Sequence, residues 1–158
     1  MLKIISHSEA QTMNLGLRLA HFLKPGGIVC LFGALGAGKT ILVKGMAKGL
    51  GISKDLVISP SFVLIREYQS AKRAGSKIAL YHLDLFRLSS PQDILKLGYE
   101  EYLYDQGICV IEWAERLAQL LPDEFLKIEL EITGETKRII RLTAKGWQYQ
   151  EILKGIKR

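Results

Sequence analysis

An eight-residue stretch from Gly33 to Thr40 contains the residue types that bind polyphosphates. It fits the pattern G-x-x-x-x-G-K-[ST], in which glycines let backbone N–H groups turn onto phosphate oxygens. The Lys39 ammonium would lie between the β- and γ-phosphates, and the Thr40 hydroxyl would bind Mg²⁺. The stretch therefore predicts a P-loop for a nucleoside triphosphate. Its predicted binding residues are Gly33, Leu35, Gly36, Ala37, Gly38, Lys39, Thr40 and Ile41.

The segments on either side of this stretch predict a scaffold that positions it. Residues 27–32 are a short apolar run of the kind found in buried parallel strands. Residues 40–50 predict a helix that ends near Gly51, and its N-terminus would add partial positive charge at the phosphates. The alternative is a small-residue turn that fits the pattern by chance. The spacing, the Lys-Thr pair and the flanking segments together argue against that alternative.

A P-loop needs a further carboxylate to hold Mg²⁺, and Glu112 is the candidate. It follows the apolar residues 108–111, which places its carboxylate at the C-terminal end of a buried strand. We therefore predict Thr40 and Glu112 as metal ligands, and Lys39, Asp84 and Glu112 as catalytic residues. A surface glutamate at a strand end is the alternative for Glu112.

Two other polar positions allow more than one interpretation. Asp84 follows the strand-like residues 77–83 and would orient water or bind Mg²⁺ through water, but a turn residue or a partner for Arg87 fits equally well. Ser61 lies in the loop after the P-loop helix, where switch GTPases place a hydroxyl that senses the γ-phosphate. His82 is expected to be an ordinary hydrogen-bonded strand histidine.

The composition is typical of a single domain with a hydrophobic core. Of the 158 residues, 48% are hydrophobic and 24% are charged. No apolar run approaches the roughly 20 residues of a membrane span, and residues 1–7 become polar too early for a secretory signal. We therefore expect a cytoplasmic protein with flexible ends at residues 1–7 and 155–158. Cys30 and Cys109 lie in apolar runs and are predicted to be buried free thiols.

The net charge of +6 is a weak indication of an anionic partner, such as a nucleotide or RNA. No dense basic run occurs in the chain, so a solvated lysine surface explains the charge equally well. No feature of the sequence indicates binding to DNA or to a membrane.

The remaining pattern predicts alternating helices and strands. Helices are expected at 9–23 with Ser8 as its cap, from the Ser90 cap to 97, and at 100–104, 114–121 and 146–154. Residues 62–68 and 77–83 predict an antiparallel ribbon inserted into a parallel core, with its tip at 69–76. Residues 126–132 and 138–142 predict a hairpin at a sheet edge.

The chain lacks the signatures of two large P-loop classes. A GTPase of the Ras class needs an Asn-Lys-x-Asp guanine reader, and the only asparagine here is Asn14, which is followed by Leu15. A small-molecule kinase needs an arginine-rich lid, and the downstream arginines are not clustered in that way. The kinase stays open as the alternative because the chain length suits it.

Five motifs occur together in this chain in an order that resembles the TsaE (YjeE) family. They are the P-loop at 33–40, Ser-Pro-Ser-Phe at 59–62, Tyr-His-Leu-Asp-Leu-Phe-Arg-Leu at 81–88, Leu-Gly-Tyr-Glu-Glu-Tyr at 97–102, and Ile-Cys-Val-Ile-Glu-Trp-Ala-Glu at 108–115. The resemblance covers about residues 8–143. Members of this family are the ATPases of tRNA threonylcarbamoyladenosine biosynthesis.

This resemblance implies a fold, an activity and partners. The fold class would be α/β, a P-loop NTPase-like three-layer fold with a mainly parallel central sheet and antiparallel hairpin additions. The activity would be slow hydrolysis of ATP with Mg²⁺. The turnover would act on a complex of TsaD with TsaB, in which TsaD transfers threonylcarbamoyl to adenosine 37 of tRNAs that read ANN codons. The chain would meet tRNA only through that complex.

The resemblance also implies roles for individual residues. Lys39 and Thr40 correspond to the family's P-loop pair, Glu112 to its metal carboxylate, and Asp84 to the acidic residue of its Asp-Leu-Tyr-Arg segment. The stretch that flanks adenine in the family corresponds to the segment with Ser8, Glu9 and Thr12. Arg138 aligns more loosely with a position that contacts nucleotide.

Three departures from the family pattern bear on the activity. Ala34 stands where the family usually has Asp, and Ile41 stands where it usually has a second Thr. Ser61 replaces a Thr and keeps the hydroxyl. The first two departures leave a third hypothesis open, a nucleotide-gated assembly module that does not hydrolyse ATP.

Overall fold

The computed structural model describes residues 1–70 and 77–157 and contains a seven-stranded sheet. The strands in chain order are β1 Leu2–Ser6, β2 Ile28–Phe32, β3 Ile65–Gln69, β4 Ala79–Asp84, β5 Ile108–Glu112, β6 Phe125–Ile132 and β7 Arg138–Lys145. The helices are α1 Glu9–Phe22, α2 Lys39–Gly49, α3 Pro91–Lys96, α4 Glu100–Leu103 and α5 Gln148–Lys157, with 3₁₀ segments at Lys54–Leu56 and Ala114–Leu120. Among these described helices, none combines the length and apolar character needed to span a membrane.

In the strand order β1-β7-β6-β2-β5-β4-β3, the predicted catalytic residues lie together at the C-terminal ends of the central parallel strands. Strands β6, β2, β5 and β4 are parallel to their neighbours in this run. Leu31 at the end of β2 is paired with Glu112 on β5, and Glu112 is paired with Asp84 on β4. The loop that follows β2 therefore lies beside both carboxylates.

Two apolar clusters pack helices against the two faces of the sheet, which gives three layers. One cluster joins α1, α2 and α5 to the sheet through residues such as Leu19, Met46 and Val110. The other joins α3, α4 and the Ala114–Leu120 segment to the opposite face through residues such as Ile94 and Ile111. The predicted α/β three-layer fold with a mainly parallel centre is confirmed.

Helices α1 and α2 approach each other closely because glycines face each other. A Cβ on Gly16 would lie 2.2 Å from the Leu42 carbonyl oxygen, and a Cβ on Gly45 would lie 2.0 Å from the Met13 carbonyl oxygen.

Both predicted helix caps are present, since the Ser8 and Ser90 hydroxyls accept hydrogen bonds from backbone N–H groups in the first turns of α1 and α3.

Most of the residues at the two ends, which the sequence predicts to be flexible, belong to a strand or a helix. Residues 2–6 form β1, which pairs antiparallel with β7 and packs Leu2 and Ile4 against the core. Residues 155–157 belong to α5, where Ile156 is buried. Arg158 lies outside the described residues. An alternating strand of this length gives little local signal, because its stability comes from a partner far along the chain.

The two predicted antiparallel pairs exist, but their places in the sheet differ from the expectation. The β6–β7 hairpin is not at an edge, because β1 covers β7 and β6 pairs with β2. In the other pair, β4 belongs to the parallel centre and β3 is the edge strand. The tip expected at 69–76 falls mostly on residues 71–76, which lie outside the described residues.

Two local expectations change near the sheet edge that carries the carboxylates. The strand expected from residue 62 begins at Ile65, because residues 61–63 form a turn closed by the Leu64 N–H donating to the Pro60 carbonyl. Leu64 has a φ of 69°, a left-handed conformation that is energetically unfavourable for a residue with a bulky side chain. The helix expected at 114–121 is instead 3₁₀ and is interrupted at Ala118.

Candidate nucleotide-binding site

The glycine-rich loop has the backbone conformations that its sequence predicts. Gly36 and Gly38 have φ values of 76° and 102°, a region that favours glycine. Gly38 is the N-cap of α2, so the first N–H groups of that helix border the loop. Gly33 lies against strand β6, since a Cβ there would be 2.5 Å from the Leu130 carbonyl oxygen. A helix N-terminus with adjacent turned amides is suited to phosphate.

Lys39 lies inside the loop and is only 5% exposed. Its Nζ donates to the carbonyl oxygens of Gly33 and Ala34 at 2.5 and 3.0 Å, and it lies 3.9 Å from the centre of the Trp113 ring. Burial lowers the pKa of this ammonium, and the negative charges of Glu112, Glu115 and Asp84 oppose that shift.

Glu112 connects the end of β5 to the first turn of α2. The Thr40 hydroxyl donates to Glu112 Oε1 at 2.8 Å. The same oxygen is 2.8 Å from His82 Nε2, and His82 is completely buried. A carboxylate and a hydroxyl side by side are hard oxygen donors, the ligand type that Mg²⁺ prefers.

Asp84 is 1% exposed and holds the loop that contains Ser59 and Ser61. Its Oδ2 accepts hydrogen bonds from the Ser59 and Ser61 hydroxyls at 2.6 and 2.8 Å, and its Oδ1 accepts one from the Phe86 N–H at 2.9 Å. In the described part of the chain, Asp84 forms no ion pair with Arg87, whose guanidinium lies over the Phe62 ring at 4.1 Å. Asp84 is therefore a carboxylate that fixes the loop as well as a turn residue.

Arg138 at the start of β7 contacts the P-loop from the side of β2 that faces away from Glu112 on β5. Its Nε and Nη2 donate to the carbonyls of Ala37 and Gly36, each at 3.2 Å. Its Nη1 lies within 3.0 to 3.3 Å of three carbonyls in the turn between β6 and β7. The guanidinium thus ties the turn after β6 to the loop after β2.

The site residues surround one cavity of about 660 Å³. Of the residues predicted from the sequence, those that line it are Ser8, Glu9, Thr12, Leu35, Gly36, Ala37, Gly38, Lys39, Thr40, Ile41, Ser61, Asp84, Glu112 and Arg138. Gly33 is absent from the lining and contributes through its carbonyl to Lys39. The cavity has the size of a small-molecule site.

Comparison with known proteins places the chain in a family. The family model described as threonylcarbamoyl adenosine biosynthesis protein TsaE matches residues 6–140. The chain belongs to the TsaE family. The expected resemblance is confirmed, and membership connects the chain with tRNA threonylcarbamoyladenosine biosynthesis.

Individual TsaE proteins cover most of the chain. The tRNA threonylcarbamoyladenosine biosynthesis protein TsaE of Bacillus subtilis (strain 168) is 38% identical over 148 residues, which are 94% of this chain and 89% of that protein. The TsaE of Treponema pallidum (strain Nichols) is 39% identical over 139 residues, which are 88% and 98% of the two chains. The crystal structure of Bacillus subtilis YdiB matches with a TM-score of 0.81 at 36% identity, covering 99% of this chain and 94% of that one.

Four of the five motifs that resemble TsaE contribute residues to the cavity. The fifth, at 97–102, packs on the other face of the sheet, where Tyr99 is 3% exposed. Sequence reasoning gave no site role to Ser59, Phe86, Glu135 or Thr136, all of which line the cavity. It also treated His82 as ordinary, although polar residues at positions 82 and 84 of an apolar strand share one face, which is a usable signal.

Proposed function

We propose that this TsaE-family chain binds ATP with Mg²⁺ in the cavity and hydrolyses it slowly to ADP and phosphate. The observation that carries the proposal is the convergence of Lys39, Thr40 and Glu112 on one cavity at the N-terminus of α2. The loop amides and the helix end would hold the phosphates. Ser8, Glu9 and Thr12 lie at the start of α1 and would border the adenine.

The residues present fit a magnesium ion. Thr40 and Glu112 offer a hydroxyl and a carboxylate that are already hydrogen-bonded to each other. Across residues 1–70 and 77–157, no group of three or more His, Cys, Asp or Glu side chains forms a cluster that would hold a metal by itself. One hydroxyl and one carboxylate are the protein donor set expected for Mg²⁺, because this ion keeps several bound waters and takes its other ligands from phosphate. When bound, the ion would neutralise charge on the phosphate oxygens.

The chain's own residues would carry the remaining steps. Lys39 would stabilise the charge that develops as the γ-phosphoryl group passes to water. Its position among backbone carbonyls holds the ammonium inside the loop. Asp84 would help to place the attacking water or the metal, since its carboxylate lines the same cavity.

The loop with Ser59 and Ser61 would pass the nucleotide state to a partner. Asp84 connects that loop to the cavity, so contact with the γ-phosphate would compete with hydrogen bonds that now hold the loop. We infer that the partner is the TsaD–TsaB complex, that tRNA is met through that complex, and that the protein works in the cytoplasm. The process served would be threonylcarbamoylation of adenosine 37 in tRNAs that read ANN codons.

Phosphate release from ATP tests the proposal, with the protein alone and with TsaD–TsaB. Lys39→Ala should lower the rate by about 100-fold or more, because a preorganised charge contact in the transition state is lost. Lys48→Ala is the matched control, since Lys48 is exposed on the same helix. An unchanged rate for Lys39→Ala would contradict the catalytic role.

The same assay distinguishes the two alternatives. Ala34 and Ile41 lack the carboxylate and the hydroxyl expected at their positions, and this favours a module that binds ATP without hydrolysis. Such a module would assemble with TsaD–TsaB in the presence of ATP and release no phosphate. Stimulation by a small metabolite, and not by the protein complex, would instead indicate a kinase.

A further inference from the structure

His82 is a buried polar residue beside the candidate site that has no part in the proposed hydrolysis. It lies on β4, is completely buried, and stands two residues before Asp84 on the same face. Its Nε2 is 2.8 Å from Glu112 Oε1. Buried histidines of this kind normally satisfy both ring nitrogens, because an unpaired buried nitrogen is costly.

The hydrogen-bonding roles in this pair follow from chemistry. An ionised carboxylate only accepts, so His82 Nε2 carries the hydrogen and donates it to Glu112. His82 Nδ1 is buried and has no partner within the described part of the chain. The ring is thus held on one side only, by Glu112, and its burial is not explained by a full set of hydrogen bonds.

Glu112 receives both of its hydrogen bonds on one oxygen. Thr40 and His82 donate to Oε1 from two different elements, α2 and β4. Among the described residues, no group donates to Oε2, and Glu112 lines the cavity. A carboxylate fixed through one oxygen keeps its other oxygen available for a metal ion or a metal-bound water.

We propose that His82 is a positioning residue that orients the Glu112 carboxylate for Mg²⁺. The inference rests on the proposed function, since it assigns His82 to the metal carboxylate of that site. Groups that hydrogen-bond to a metal ligand fix its orientation, and their removal commonly costs 10–100-fold in metal affinity. Thr40 alone would leave the carboxylate free to rotate about a single hydrogen bond.

The test is the Mg²⁺ dependence of nucleotide binding by the full chain, read with a fluorescent ADP analogue. In His82→Leu and His82→Phe, which remove the donor with different shapes, half-maximal enhancement of binding should need about 10–100-fold more Mg²⁺. Binding in EDTA should stay at the wild-type level. His82→Gln, which keeps an N–H donor, should restore most of the response.

Leu80→Ala controls for lost stability, because Leu80 is buried on the same strand and face but is paired with Ile108, four residues before Glu112. A folded His82→Leu or His82→Phe protein with the wild-type Mg²⁺ requirement would overturn the inference. Equal loss with and without Mg²⁺, as expected for Leu80→Ala, would also overturn it. If nucleotide binding by the wild-type protein does not depend on Mg²⁺, the proposed function is wrong, and so is this inference.

Discussion

Ser61 and Asp84 are 23 residues apart in the chain and are joined by a 2.8 Å hydrogen bond from the serine hydroxyl to the carboxylate. The Ser59 hydroxyl donates to the same carboxylate oxygen. One buried carboxylate thus holds a loop whose other contacts include the Arg87 guanidinium over the Phe62 ring and the Asp84 N–H donating to the Leu64 carbonyl. This arrangement gives Asp84 a structural role that is separable from any role with water or metal.

Replacement of Asp84 by alanine should release the loop at residues 59–64. Each lost hydrogen bond to the charged carboxylate contributes about 1.5–3 kcal/mol, so amide hydrogen exchange there should rise about tenfold or more in the nucleotide-free protein. Asp55→Ala is the matched control, because Asp55 is an exposed acidic residue in the preceding 3₁₀ segment. Unchanged exchange in Asp84→Ala would show that the serine contacts do not hold the loop.

Replacement of Arg138 by methionine should loosen the P-loop before any nucleotide binds. The side chain bridges the Gly36 and Ala37 carbonyls to the β6–β7 turn, and methionine keeps much of its length without the donors. We expect faster amide exchange at residues 34–38 and 133–137, and nucleotide affinity about tenfold weaker.

Arg141→Met controls for the loss of charge on the same strand. Arg141 pairs with Glu131 in a half-exposed ion pair, whose loss should cost less than about 1 kcal/mol. If Arg138→Met weakened nucleotide binding without changing exchange in the nucleotide-free protein, Arg138 would act as a direct nucleotide contact and not as a brace.

Features encoded by local spacing could be predicted from the sequence. The P-loop depends on glycines and a Lys-Thr pair within one turn, and its flanks are an apolar strand and a helix. The caps Ser8 and Ser90 act on N–H groups three residues away. Glu112 could be placed at the strand end because four apolar residues precede it. All of these signals lie within a few residues of the feature they predict.

Features that depend on distant partners could not be predicted in the same way. The β1 strand exists because Leu2–Ser6 pairs with β7 near the other end of the chain. The turn at residues 61–63 forms because the loop is held from a distance by Asp84, whereas the local pattern of Phe62 and Val63 favours a strand. The pattern of polar residues at positions 82 and 84 places His82 on the same strand face as Asp84, but its contact with Glu112 on the neighbouring strand depends on sheet pairing, which no local pattern encodes.

The close approach of α1 and α2 predicts the sign of a glycine substitution. In an exposed helix interior, Gly→Ala stabilises by about 1 kcal/mol. At Gly45 the added Cβ would lie 2.0 Å from the Met13 carbonyl oxygen, so the helices must separate. We expect Gly45→Ala to lower the free energy of unfolding by about 1–3 kcal/mol in urea titrations. Gly134→Ala, in the β6–β7 turn, should change it by less than about 0.5 kcal/mol. A stabilised Gly45→Ala protein would contradict the packing.

The two cysteines predict how the folded chain responds to thiol reagents and to alkali. Burial raises the pKa of Cys30 to about 12, and burial with the adjacent Cys30 raises the pKa of Cys109 as well. Since the thiolate is the reactive form, neither thiol should react with a disulfide reagent at pH 8 in the native protein, and both should react in guanidinium chloride.

The raised thiol pKa values mean that the folded state keeps protons which the unfolded chain loses from about pH 8.5 upward. The contribution of the two thiols to the free energy of unfolding should therefore be fully present below that pH. It should fall as the pH rises toward the pKa values of the folded protein. Rapid labelling of the native protein by the thiol reagent would show that Cys30 on β2 and Cys109 on β5 are open to solvent.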